Sequence, residues 1–144
     1  MCKKISMFIL TLLFMTGING GIDSSCINCI GKIEGGGRGC QMDGGSLSCG
    51  LYQIKHNYWI DCNTGSAWKT CVAAYFCARR CIRRYMDRYG YLCARALGKN
   101  VSSLTCEDYG RLHNGGPYGC SKNATLPYVD TMREKCHFCT HFFG

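Results

Sequence analysis

Residues 39–55 read Gly39-Cys40-Gln41-Met42-Asp43-Gly44-Gly45-Ser46-Leu47-Ser48-Cys49-Gly50-Leu51-Tyr52-Gln53-Ile54-Lys55. Gly44-Gly45 and Gly50 punctuate short segments around Met42 and over residues 51–58, the pattern of a small antiparallel sheet with tight turns. Upstream, Ser24 or Ser25 is placed to cap a short helix over 26–33, where Ile27, Ile30 and Ile33 recur at helical spacing. Gly35-Gly36-Gly37 stops it and leaves Glu34 at the helix end. From Ser66 onward the pattern is helical, with segments expected at 67–78, 79–91, 106–112 and 125–136, the last tolerating Pro127 in its first turn. Helices around a small β element make an α+β domain. No internal repeat or Pro-rich linker divides it.

The start of the chain has a different character. Lys3 and Lys4 precede a mostly apolar run over residues 5–15, followed by small residues. The run falls short of the ~20 apolar residues that span a bilayer, and its layout is that of a signal peptide over residues 1–20. Residues 21–144 are then the exported domain, expected to be secreted and without stable membrane insertion. Thirteen of the 14 cysteines lie beyond residue 20, the density of a disulfide scaffold. Zinc held by Cys26, Cys29, Cys136 and Cys139 is the alternative, but it leaves nine cysteines without a role. An odd count leaves one thiol over, with Cys139 the candidate for a free thiol or a disulfide-linked or weak dimer. No cofactor or metal is expected.

Removing Lys3 and Lys4 takes the formal charge from +8 to +6. A basic exported protein is attracted to anionic polymers such as bacterial walls, whereas no nucleic-acid motif is present. Arg80, Arg84 and Arg88 form an i, i+4, i+8 stripe beside Arg79 and Arg83, read either as a solvated helix face or as a landing strip for wall polymer. Asn100 and Asn123 begin glycosylation sequons.

Of nine carboxylates, Glu34 and Asp43 stand out. Each adjoins glycines that allow close approach of backbone or substrate. Glycoside hydrolysis needs one protonated and one ionised carboxyl group across a cleft. Apolar surroundings from Ile33 and the helix would raise Glu34 towards the acid role, and Ser46 and Ser48 would keep Asp43 charged.

A longer set of motifs extends this reading. Cys26-Ile27-Asn28-Cys29-Ile30, Ile33-Glu34-Gly35-Gly36, the whole of residues 39–55 and Tyr58-Trp59-Ile60-Asp61-Cys62 resemble the invertebrate-type (destabilase-like) lysozymes. So do Trp68, Cys71, Cys77-Ala78-x-x-Cys81, Arg84-Tyr85-Met86-x-Arg88-Tyr89, Cys106-Glu107-x-Tyr109-x-Arg111, His113-Asn114-Gly115-Gly116-Pro117-x-Gly119-Cys120 and Thr125-x-x-Tyr128. The resemblance covers residues 25–136. It implies a lysozyme-like fold, a mainly helical lobe plus a small antiparallel sheet, with peptidoglycan as substrate. It implies Glu34 as proton donor, Asp43 as nucleophile or electrostatic partner, and Gln53, Ile54, Lys55, Tyr85, His113, Asn114 and Gly115 lining the sugar cleft. The chain departs from the family at Gly31, where a third cysteine usually stands, and in the glycine run after Glu34, which lacks another.

Three functions compete on these residues. The first is a secreted muramidase for antibacterial defence or digestion. The second is an isopeptidase using Ser46 or Ser48 with Lys55 or His113. The third is a cationic wall-binding protein without efficient turnover.

Overall fold

The computed structural model describes residues 20–136 apart from Gly36 and Arg38. The expected signal peptide and Cys139 lie outside these residues. The elements are α1 (Ser24–Glu34), a three-stranded sheet of β1 (Cys40–Asp43), β2 (Ser46–Cys49) and β3 (Ile54–Lys55), then α2 (His56–Cys62), α3 (Trp68–Ala73), α4 (Tyr75–Leu97), α5 (Cys106–Gly115) and α6 (Leu126–Cys136). Short 3-10 turns connect the later helices. Among the described residues no helix is long and apolar enough to cross a membrane.

Helix α1 starts one residue earlier than the serines suggested. Asp23 is the cap, its side chain accepting the Cys26 N–H at 2.7 Å, while Ser25 donates to Asp23 Oδ1 at 2.8 Å. The carboxylate is the better acceptor for a helix N-terminus, and these bonds hold Asp23 below the ordinary carboxylate range. Gly35 closes the helix in the left-handed conformation at φ 57°. The buried face of α1 carries Cys26, Ile27, Cys29 and Ile30.

The sheet has the order β1-β2-β3, all antiparallel, with Met42 opposite Leu47, Asp43 opposite Ser46 and Ser48 opposite Lys55. The β segment ends sooner than expected, because residues 56–58 begin α2. Gly50 is required at the turn: φ is 77°, and a Cβ there would lie 2.0 Å from the Val72 carbonyl oxygen.

The expected division at 67–78 and 79–91 is also displaced. Helix α3 stops at Ala73, Ala74 is extended, and α4 then runs without interruption for 23 residues. No glycine or proline marks the break. The Cys71–Cys77 disulfide accounts for it: its Cα atoms are 5.0 Å apart, whereas six residues of unbroken helix rise about 9 Å. Helix α4 is the spine of the core, presenting Ala78, Cys81, Ile82, Tyr85, Met86 and Cys93 to Ile27, Ile30, Ile54 and Leu112.

All described cysteines are paired: Cys26–Cys106, Cys29–Cys136, Cys40–Cys49, Cys62–Cys81, Cys71–Cys77 and Cys93–Cys120. Three of the four thiols proposed for zinc are thereby used, which removes that alternative. The arginine group is split between roles. Arg79 is buried, donating to Asn28 Oδ1 at 2.6 Å and the Tyr52 hydroxyl at 3.0 Å. Arg83 donates to the Ile22 carbonyl at 2.6 Å, and Arg84 holds the carbonyls of Cys62 and Asn63. Arg80 and Arg88 are exposed.

Candidate active site

Glu34 and Asp43 are delivered by α1 and β1, and the surroundings of each come from other elements. Asp43 ends β1 where Gly44 and Gly45, at φ 56° and 81°, turn the chain into β2. Lys55 reaches across from β3, its Nζ 3.1 Å from Asp43 Oδ2 and 3.0 Å from the Asp43 carbonyl. The Asp43 side chain is 68% exposed.

Glu34 is 18% exposed at its side chain. Tyr128 of α6 donates its hydroxyl to Oε1 at 2.8 Å, and His113 Nε2 of α5 lies 3.5 Å from the same oxygen. His113 is itself fixed. Its Nε2 is 3.1 Å from the Tyr52 carbonyl, which can only accept, so Nε2 carries a proton. Its Nδ1, 3.2 Å from the Tyr58 hydroxyl, takes that hydroxyl's proton as acceptor when the ring is neutral.

These contacts overturn the expected raising of Glu34 by apolar neighbours. Burial does push the carboxyl up, and the charge of Asp43 adds to it. Donation from His113 and Tyr128 outweighs both and holds Glu34 below the ordinary carboxylate range.

A groove of about 450 Å³ opens beside Asp43 and His113. Asp43, Gln53, Lys55, Tyr85, His113, Asn114 and Gly115 all line it, as do Asn57, Tyr58, Asp61, Gly116 and Pro117. Glu34 is not a lining residue; it contacts the lining residue His113, whose Nε2 is 3.5 Å from its Oε1. Ile54, expected in the cleft, is 1% exposed in the core, because it alternates with Lys55 along β3, and Lys55 and the turn residue Gln53 line the groove. Tyr85 belongs to both core and groove. It is 2% exposed and stacks on Tyr58 with ring centroids 3.5 Å apart, so the two rings form a rigid floor. Burial holds both phenols above their usual range.

The serines weighed for isopeptide cleavage lie near Lys55 but make no hydrogen bond to it or to His113. Ser46 donates to the Asp43 carbonyl at 3.3 Å, and Ser48 Oγ is buried without a hydrogen-bond partner. Lys55 is committed to Asp43, and His113 to Tyr52, Tyr58 and Glu34. Among the described residues no serine is hydrogen-bonded to either base.

The destabilase family model matches residues 23–136. The chain belongs to the destabilase family. A lysozyme of Ostrea edulis is 45% identical over 130 residues, covering 88% of this chain and 90% of that protein. An invertebrate-type lysozyme of Ruditapes philippinarum is 42% identical over 121 residues, covering 80% and 82%. Among solved structures, inhibitor-bound lysozyme from Meretrix lusoria superposes with a TM-score of 0.70 at 45% identity, covering 81% of this chain and 93% of that one. Against this family background Gly31 acquires a physical reason. A Cβ at Gly31 would lie 2.9 Å from Tyr52 Cε1, so the tyrosine ring fills the space that a side chain on this turn of a destabilase helix would need.

Sequence reasoning names Tyr128 and Tyr58 only as members of motifs and gives neither a role. No local signal marks them. Tyr128 is 94 residues from the carboxylate it touches, and only the packing of α6 on α1 reveals the contact.

Proposed function

We propose that this destabilase is a secreted muramidase, a glycoside hydrolase acting on the β-1,4 link between N-acetylmuramic acid and N-acetylglucosamine in bacterial peptidoglycan. One observation carries the reading: an exposed carboxylate lines a groove whose walls offer amides, hydroxyls and aromatic rings to a sugar chain, and a partly buried, donor-held carboxyl contacts His113 of that wall. The relatives named lysozyme support it, and the six disulfides suit an oxidising extracellular setting.

In this reading Glu34 gives its proton to the bridging oxygen as the bond from the muramic acid C1 breaks. Asp43, ionised beside Lys55, faces the positive charge that develops at C1 or bonds to it. Water then supplies hydroxide to C1 and returns a proton to Glu34. Glu34 must be protonated to begin, and its donors favour the anion, so turnover is expected to favour mildly acidic conditions. Gln53, Asn57 and Asn114 are placed to bind hydroxyl and acetamido groups.

The test is the clearing of a Gram-positive wall suspension by the wild type and by Glu34→Gln. Loss of clearing in the variant is expected; equal clearing by both would end the assignment of Glu34.

A further inference from the structure

A run of glycines follows the acid in the chain, and Glu34 is held by elements other than its own loop. Its Oε1 accepts the Tyr128 hydroxyl at 2.8 Å and lies 3.5 Å from His113 Nε2. Among the described residues Oε2 accepts no hydrogen bond. Tyr128 is anchored in turn, because α6 is joined to α1 by Cys29–Cys136 and by Lys32 Nζ on the Lys135 carbonyl at 3.3 Å.

We propose that Tyr128 is the positioning residue for the acid: by occupying Oε1 it leaves Oε2 as the oxygen that carries and delivers the transferable proton. This rests on the muramidase reading above. Tyr128 suits the task better than His113. Its contact is shorter, and among the described residues its hydroxyl has no competing acceptor, whereas His113 Nε2 shares its proton with the Tyr52 carbonyl at 3.1 Å. Burial and the adjacent Glu34 hold the phenol far above its ordinary range, so it remains a donor wherever the enzyme works.

The groups that face Glu34 are His113 on α5, Tyr128 on α6, Tyr58 on α2 and Asp43 on β1. Of these, Tyr128 and His113 favour its anion, Asp43 opposes it, and the Tyr58 hydroxyl is spent on His113. Replacing Tyr128 by phenylalanine keeps the ring and removes one donor to the anion. Glu34 then keeps its proton to higher pH, while the carboxyl group becomes free to rotate.

The experiment is hydrolysis of purified Gram-positive peptidoglycan by wild type, Tyr128→Phe, Glu34→Gln and the double variant. Tyr128→Phe is expected to lower kcat about tenfold with KM little changed, and to move the alkaline limb of the profile up by about one pH unit. In the Glu34→Gln background the same change should do nothing further. A Tyr128→Phe profile with limb and kcat in their wild-type places, while Glu34→Gln is inactive, overturns the positioning role and leaves the muramidase reading intact. Full activity in Glu34→Gln ends the assignment of Glu34 as the acid and the positioning role with it, whereas a wild type that releases no reducing ends overturns the muramidase reading itself. Should Tyr128→Phe fold poorly, the wild type supplies the answer by NMR: the Tyr128 Cζ resonance should titrate with the Glu34 carboxyl, and a flat response would refute the proposal.

Discussion

Glu34 and Asp43 are nine positions apart in the chain, and the fold treats them as opposites. The Glu34 side chain is 18% exposed and takes its partners from α5 and α6. The Asp43 side chain is 68% exposed on a hairpin tip, and its carboxylate meets one cation, Lys55, among the described residues. Donors fixed on distant helices set the protonation of the first. The second is open to water beside one exposed ammonium. Two chemically similar groups thus sit in different surroundings, one held by hydrogen-bond donors and the other open to solvent; under the proposed mechanism the first is the acid, although its donors favour the anion. Lysozymes are the type case of two carboxyl groups in contrasting surroundings, so the principle is a general one and only the residues that carry it here are new.

The largest effect should come from removing either carboxyl group, and the two should differ. Glu34→Gln is expected to lower peptidoglycan hydrolysis by roughly 10²–10⁴-fold, the range for a lost general acid. Asp43→Asn should cost on the order of 10²-fold, as for a lost electrostatic partner. Rates from reducing-end release would measure both. An Asp43→Asn enzyme at wild-type rate would break the comparison outright.

The scaffolds should differ next. Cys29–Cys136 closes a sequence separation of 107 and holds α6, with Tyr128, against α1. Cys40–Cys49 spans nine and holds the hairpin behind Asp43. Serine replacement of the first pair should cost toward the upper part of ~2–5 kcal/mol, and of the second toward the lower part. Chemical denaturation of the two double variants would rank them. The first should also impair activity through Glu34 before the fold is lost.

Lys55→Met probes the exposed side and should be the mildest. An ion pair this open is worth ~1 kcal/mol or less, so a change of a few-fold in rate is expected. In wild type the Lys55 contribution should fade as salt rises, because exposed charges are screened. Rates in low and high salt for both proteins would show the gap closing. A gap that persists at high salt would mean that Lys55 binds the glycan directly.

Much of this arrangement is legible in the sequence, and the remainder is hidden for identifiable reasons. The glycines after Glu34 and Asp43 announce a helix end and a hairpin, since both depend on backbone conformations that local sequence encodes. The break at Ala74 cannot be read, because a disulfide rather than a helix-breaking residue imposes it. Local sequence puts Glu34 in apolar surroundings on the strength of Ile33, its nearest neighbour. The controlling groups, His113 and Tyr128, arrive from helices that are remote in the chain. The motif carries Ile54 into the cleft with Gln53 and Lys55, although strand alternation turns it into the core. Local order locates the carboxylates, and tertiary packing decides the surroundings of each.

The most direct test of the proposed mechanism is mass spectrometry of the fragments released from purified peptidoglycan. The wild type should yield muropeptides with N-acetylmuramic acid at the reducing end, and Glu34→Gln should yield almost none. Fragments ending in N-acetylglucosamine, peptides freed with the glycan uncut, or an undiminished yield from Glu34→Gln would contradict the account.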